Sequence, residues 1–285
     1  DGLRDAADFL RSAGFTVNEL NLAVETAVPA DANVLLLIDQ FAPLQAAEID
    51  AIATYLNNGG SRFLARDPVD QDRAPAEEDG LAAYLGEIWG VGLRQDVIFD
   101  QDFAQAGQIG FQFLGAQYGL SPIITADLSR FGTIFAVARS VATSPTADVI
   151  PASLVLTSEL AWGETNMALL TAGEAAPNGS DANGPLVVGS SLQNEATGAR
   201  LVIFGDSDFV DNELITAGGN NLLFSNAVGW LAGNETAVSL PTSPAIERRI
   251  LLTQAQLRGL QLIGLLLPPL LLLAVGGRVW WQRRK

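Results

Sequence analysis

Helical and strand spacings alternate along the first part of the chain. From Gly2 to Ala13, Leu3, Ala6, Ala7 and Leu10 share one helical face, and Gly14 stops that helix before a strand-like run at Thr16 to Leu20. Val34 to Ile38 reads Val-Leu-Leu-Leu-Ile, an unbroken apolar run of strand length that predicts a parallel strand buried on both faces. Ile49, Ile52, Ala53 and Leu56 then mark a helical stripe ending at Asn57-Asn58-Gly59-Gly60, a natural helix stop because glycine enters the left-handed region without steric cost. Phe63 to Ala65 is the next strand, left through Arg66-Asp67-Pro68. A further helix over Leu81, Tyr84, Leu85 and Ile88 leads to a strand at Val97 to Phe99. This rhythm predicts an α/β fold built on a doubly wound, largely parallel sheet.

The middle is less periodic. Gln101 to Gly119 mixes Gly, Gln and Phe and reads as irregular or edge structure, followed by strands at Thr133 to Ala138 and Ser153 to Leu156. Thr171 to Gly184 is rich in Ala, Gly, Asn and Ser and reads as an exposed loop. Leu186 to Ser191 and Arg200 to Phe204 flank Asn194 to Gly198, the pattern of a hairpin. Phe224, Ala227, Val228 and Leu231 then share one face of a helix that closes at Gly233. Residues 234–256, with Pro241 and Pro244, read as a linker after a single domain of residues 1–233.

The C-terminal stretch has a different character. Gly259 to Gly277 runs nineteen residues without a charge, and Leu257 to Trp281 has the length a helix needs to cross a hydrocarbon core. The expectation is a single transmembrane helix over 257–281. Leu265, Pro268, Pro269 and Leu272 would lie in the span, Trp280 and Trp281 at its interface, and Arg283, Arg284 and Lys285 in a basic cytoplasmic tail over 282–285. Residues 1–246 carry a net charge of −22 and the remainder +6, so the acidic domain is expected outside the cell membrane and the basic tail at the anionic cytoplasmic leaflet.

Composition closes off much chemistry. The 285 residues contain no Cys and no His, which removes Ser-His-Asp and Cys-His catalysis, thiolate nucleophiles, disulfides and ordinary zinc or haem ligation from this chain. No cofactor is expected, and nothing forms a nucleic-acid platform. Carboxylate chemistry and oxygen ligation of magnesium or calcium stay open.

One stretch could carry such chemistry. Arg200 to Phe204 runs directly into Gly205-Asp206-Ser207-Asp208-Phe209-Val210-Asp211-Asn212, which places carboxylates past the C-terminal end of a strand, where open α/β sheets bind ligands. Asp206, Ser207, Asp208, Asp211 and Asn212 are the candidate ligand-binding residues. Their alternative role is to cap the following helix or accept hydrogen bonds from turn amides. Asp39 and Asp67 also follow strands and are weaker candidates. Trp162-Gly163-Glu164-Thr165-Asn166 reads either as a recognition loop or as a loop anchored by a buried Trp.

The order of segments resembles a known family. Val28 to Ala32 before an apolar strand, Glu48 to Gly60, Phe63 to Pro68, Trp89-Gly90-Val91 with Asp96-Val97-Ile98, Leu201 to Phe209, Gly219 to Gly233 and Trp280-Trp281 are similar to the auxiliary ABC-transport family that includes GldG of bacterial gliding motility. The resemblance implies an extracytoplasmic domain related to the glutamine-amidotransferase-like three-layer fold, tethered beside a permease and a separate cytoplasmic ATPase. An amidotransferase would need Cys and His, so the kinship implies no enzyme.

Three roles follow as expectations. The first is a membrane-anchored, non-catalytic auxiliary or substrate-binding subunit of a bacterial ABC-type transport or gliding-motility complex, with a permease, its ATPase and the lipid bilayer as partners. The second is a surface-tethered carboxylate- or metal-dependent hydrolase, or a glycan-binding domain, using Asp206, Asp208 and Asp211. The third is a scaffolding protein.

Overall fold

The apolar runs of the N-terminal part form the predicted parallel ladder, but the ladder changes character halfway across the sheet. The computed structural model describes residues 2–38, 43–68, 80–102, 112–115, 117–119, 121, 123–234 and 254–283. In chain order the elements begin with α1 (Arg4–Ser12), α2 (Leu22–Glu25), β1 (Val34–Ile38), α3 (Ala46–Asn57), β2 (Ser61–Ala65), α4 (Gly80–Trp89), β3 (Val91–Leu93) and β4 (Val97–Phe99). Next come β5 (Gln112–Leu114), β6 (Gln117–Tyr118), α5 (Leu128–Phe131), β7 (Ile134–Ala136), β8 (Val141–Thr143), β9 (Val149–Leu156), β10 (Trp162–Glu164) and α6 (Met167–Ala172). The last are β11 (Ala182–Asn183), β12 (Val187–Asn194), β13 (Arg200–Phe204), α7 (Asn220–Leu231) and α8 (Gln254–Arg283), with a 3-10 turn at Asp208–Val210 between β13 and α7.

Among the described residues the main sheet has six strands in the order β1-β2-β13-β12-β9-β6. Strands β1, β2 and β13 are parallel, and Leu36 pairs with Phe63 as Phe63 pairs with Val202. From β13 onward every pairing is antiparallel. Three smaller sheets, β11-β10-β4, β3-β8 and β5-β7, complete the domain.

This corrects the expected doubly wound, largely parallel sheet: the domain is a mixed, sheet-rich one. The cause is local. The turn at residues 195–199 is too short for a crossover, so β12 must return antiparallel to β13, whereas β1 and β2 stay parallel because α3 carries the chain back across the sheet. Among the described residues the expected strand at Thr16 to Leu20 joins no ladder.

Two cores flank the parallel strands. Side chains alternate along β13, so Val202 and Phe204 join Ala6 and Leu10 of α1 and Leu223 and Phe224 of α7, while Leu201 and Ile203 join Ile52 and Leu56 of α3 and Leu85 and Trp89 of α4. Both faces of β2 and β13 are therefore covered, which is why those runs lack polar alternation. The first core is aromatic. Phe204 and Phe209 lie 4.7 Å apart, and Phe63 meets Phe224 edge-on at 5.2 Å. Such pairs add about 0.5–1.5 kcal/mol each beyond area burial.

The expected transmembrane helix is also corrected. Helix α8 runs from Gln254 to Arg283 with Pro268 and Pro269 inside it, and among the described residues no helix is long and apolar enough to cross a membrane. Gln254, Gln256, Arg258 and Gln261 place polar groups in its opening turns, and the paired prolines remove two consecutive amide donors at mid-length. Leu265, Pro268, Pro269, Leu272, Trp280, Trp281 and Arg283 are thus not assigned as a membrane anchor. Arg284 and Lys285 lie outside the described residues, as do Asp39, Pro241 and Pro244. The single-pass placement, with an extracytoplasmic domain, a cytoplasmic tail and a bilayer partner, falls with the anchor.

Candidate functional site

The parallel strands β2 and β13 end side by side, Ala65 paired with Phe204, so their next residues emerge together at the carboxyl edge. Arg66 donates its backbone N–H to the Phe204 carbonyl at 3.1 Å, and the two loops then run as neighbours. This brings Asp67 to Asp206 and Asp208, with one carboxylate oxygen from each lying within 4.8 Å of the others.

Asp206 is fully buried. One of its oxygens accepts the Ala136 N–H at 2.7 Å and the other the Phe209 N–H at 3.2 Å. Burial, reinforced by the neighbouring charges of Asp67 and Asp208, pushes its carboxyl well above the ordinary range, although the two amide donors pull the other way. The protonated acid is therefore the form the fold favours. Ser207 is clamped by Asp67, whose two oxygens accept its N–H and, at 2.7 Å, its hydroxyl.

Glycine is required at the strand end. A Cβ on Gly205 would stand 2.0 Å from the Arg139 carbonyl oxygen, because the Arg139 N–H donates to the Gly205 carbonyl at 2.7 Å and the two backbones touch. The Arg139 side chain is wholly buried and donates to the carbonyls of Arg94, Leu93 and Asp67 at 2.6, 3.0 and 3.3 Å. Burial, and secondarily Arg66, lowers its pKa to about 10, against the opposing pull of Asp96 and Asp67. It remains a cation at neutral pH.

The structure separates the remaining sequence candidates. Asp211 accepts the N–H groups of Glu213 and Leu214 at 2.8 and 2.7 Å, a turn-forming role. Asn212 accepts the Asp5 N–H at 2.9 Å and donates its own N–H to the Gly2 carbonyl at 2.8 Å, tying the start of α1 to this loop. Asp206, Ser207 and Asp208 thus gather with Asp67, while the Asp211 side chain shapes the turn that follows and Asn212 ties the loop to the start of α1. Trp162 is a buried strand residue stacked on Phe99 at 5.1 Å, and Asn166 caps α6 through the Ala168 and Leu169 amides.

Sequence reasoning missed a device in which a carboxylate takes both the N–H and the hydroxyl of a distant serine. Asp96 accepts both the N–H and the hydroxyl of Ser140, at 2.8 and 2.6 Å, and Asp100 does the same for Ser158 at 2.7 and 2.8 Å. With Asp67 and Ser207 these form three carboxylate clamps that pin loops to strand ends. The partners are 44, 58 and 140 residues apart, so no local motif could reveal them.

A family model described as an ABC-type uncharacterized transport system matches residues 2–228. The chain belongs to that family. It is thus an auxiliary component of an ABC-type transport system, associated with transport components, as the segment order implied. Among solved structures, it is similar to the mmIFT52 N-terminal domain, at 12% identity over 81% of this chain and 90% of that one, with a TM-score of 0.57. That likeness is one of fold. A ThuA-like protein from Bacteroides uniformis aligns over 70% of this chain and 69% of its own at 16% identity, with a TM-score of 0.38. Among curated proteins none matches the chain.

Proposed function

We propose that residues 1–233 are the working unit of a non-catalytic, substrate-binding-type subunit that acts with a permease and, through it, a separate ATPase in a bacterial ABC-type transport or gliding-motility complex. What supports the non-catalytic part is the bonding of the carboxyl-edge cluster. Both Asp206 oxygens accept backbone amides, and both Ser207 donors are taken by Asp67. The groups best placed for chemistry hold the fold together instead. The absence of Cys and His narrows the options further. The test is recovery of the tagged full chain in mild detergent, with mass spectrometry of what remains bound. A permease and an ATPase in fixed ratio is the expected result, and recovery of the chain alone in several detergents would refute the partnership.

One observation favours a second reading. Asp67, Asp206 and Asp208 converge closely enough to share a hard cation, as a metal-dependent hydrolase or glycan-binding domain would require. A cation there would have to compete with the Ala136 and Phe209 amides for the Asp206 oxygens. Calcium or magnesium titration of the chain and of Asp208→Asn separates the two readings.

A further inference from the structure

The two edges of the main sheet are built differently. At one edge β6 is two residues long, and Pro151 removes an N–H from the neighbouring β9. Short strands and proline are devices that keep an edge from pairing with another chain. At the other edge lies β1, Val-Leu-Leu-Leu-Ile, with no proline, glycine or charge, paired to β2 in an unbroken register. Among the described residues β2 is its sole ladder partner, so alternate N–H and C=O groups along its outer side meet no strand. All five residues of β1 are partly exposed, whereas all five of β2 are buried.

The extended neighbour of β1 does not close this edge. Phe15 and Val17 pack against the same core as Val34, Leu36 and Ile38, and Leu22 against the same core as Leu35 and Leu37. Thr16 to Leu20 therefore runs beside β1 between the two faces of the sheet, yet among the described residues it forms no backbone hydrogen bond. A strand added to β1 would alternate its side chains between these two apolar surroundings. The rim is acidic. Ala13 to Ser61 contains no Lys or Arg, and Glu19, Glu25 and Asp31, which precede β1, are all exposed. The outward backbone groups call for an extended polypeptide, and the acidic rim for positive charge at its ends. A second copy of this chain answers poorly, because its net charge is −16 and pairing β1 with β1 would bring two such rims together.

We infer that the outer edge of β1 is a docking site for an extended strand of a partner polypeptide, apolar on both faces and flanked by Lys or Arg. This surface is distinct from the Asp67, Asp206 and Asp208 cluster. Binding is measured on the full chain with synthetic peptides, so its failure and the failure of the permease and ATPase partnership are separate results.

The probe is a fluorescein-labelled peptide with the centre Val-Ile-Val-Ile-Val between pairs of Lys, titrated against the full chain by fluorescence anisotropy. Saturable binding is expected below about 1 mM, with slower deuterium exchange at the outward amides of Val34 to Ile38. N-methylation of the peptide's central amides removes its donors and should abolish binding. Replacing the Lys pairs by Glu should weaken binding about tenfold or more, and Glu19→Lys combined with Asp31→Lys in the protein should reverse that preference. Circular dichroism establishes that the variant is folded, and if it is not, the two peptides on the wild-type chain decide. Absence of saturation up to about 1 mM overturns the inference. So does unchanged exchange at Val34 to Ile38, undiminished binding of the N-methylated peptide, or equal affinity for the Lys-flanked and Glu-flanked peptides. A dimer in light scattering with β1 protected before peptide is added also overturns it, because a second copy then holds the edge.

Discussion

Asp206→Asn replaces the acid that burial pushes above the ordinary carboxylate range. In the unfolded chain Asp206 ionises in the ordinary carboxylate range, whereas in the fold burial and the charges of Asp67 and Asp208 keep it protonated to higher pH. The sign follows from that direction. A raised folded pKa contributes stability that is fully present below the unfolded pKa and is lost as pH rises towards the folded one. Between the two values the wild-type chain should lose about 1.4 kcal/mol per pH unit relative to a non-titrating isostere. Asparagine keeps one acceptor oxygen for the two amides, of Ala136 and Phe209, that Asp206 now serves. One orphaned buried donor costs about 1–3 kcal/mol. The variant should therefore be the less stable protein at low pH and gain on the wild type as pH rises, until the folded carboxyl ionises. Urea unfolding followed by circular dichroism, at half-unit steps from pH 5 to 7.5, gives both stabilities by linear extrapolation. Titrations common to both proteins cancel in the difference. A difference that stays flat across the range, or falls in favour of wild type, would refute the protonated Asp206.

Further outcomes follow from the same geometry. Gly205→Ala drives a Cβ to 2.0 Å from the Arg139 carbonyl oxygen, and a thermal melt should show a loss of about 1–3 kcal/mol or more, since the obstacle is backbone. Ser207→Ala removes the hydroxyl donor to Asp67, and urea unfolding should register a loss of about 1–2 kcal/mol, with the Asp67 carboxylate still accepting the amide. Phe209→Ala empties the centre of the aromatic core, a change of about 3–5 kcal/mol that the melt should register as the largest of these. Millimolar calcium or magnesium should leave the unfolding midpoint unmoved. A saturable rise that disappears in Asp208→Asn would instead favour the cation-binding reading.

Much of the local structure was legible because it is written in nearest-neighbour terms. Val34 to Ile38 and Val97 to Phe99 are strands with the bounds their apolar runs suggested, and α7 covers the stripe of Phe224, Ala227, Val228 and Leu231. The hairpin at Asn194 to Gly198 was also readable, and it already contained the reason the sheet could not be wholly parallel. Thr16 to Leu20 has strand composition but no ladder, since pairing depends on a partner edge that composition does not supply. The nineteen-residue uncharged run at Gly259 to Gly277 fixed a helix there, while its reading as a membrane span did not hold among the described residues.

The site divides along the same line. The sequence by itself determined that thiol and imidazole chemistry is closed to these residues, because they include no Cys or His, and that Asp206, Ser207 and Asp208 follow a strand end. The segment order also determined the family, since a succession of weakly specific pieces is hard to reproduce by chance. Only the tertiary structure decided that Asp67, 139 residues away along the chain from Asp206, shares its corner, because parallel pairing of β2 with β13 aligns their ends without any local signal. It also decided that Asp206 is buried, with its carboxyl pushed above the ordinary range. Burial and electrostatic coupling depend on what other segments bring to a residue, and those segments are distant in the chain.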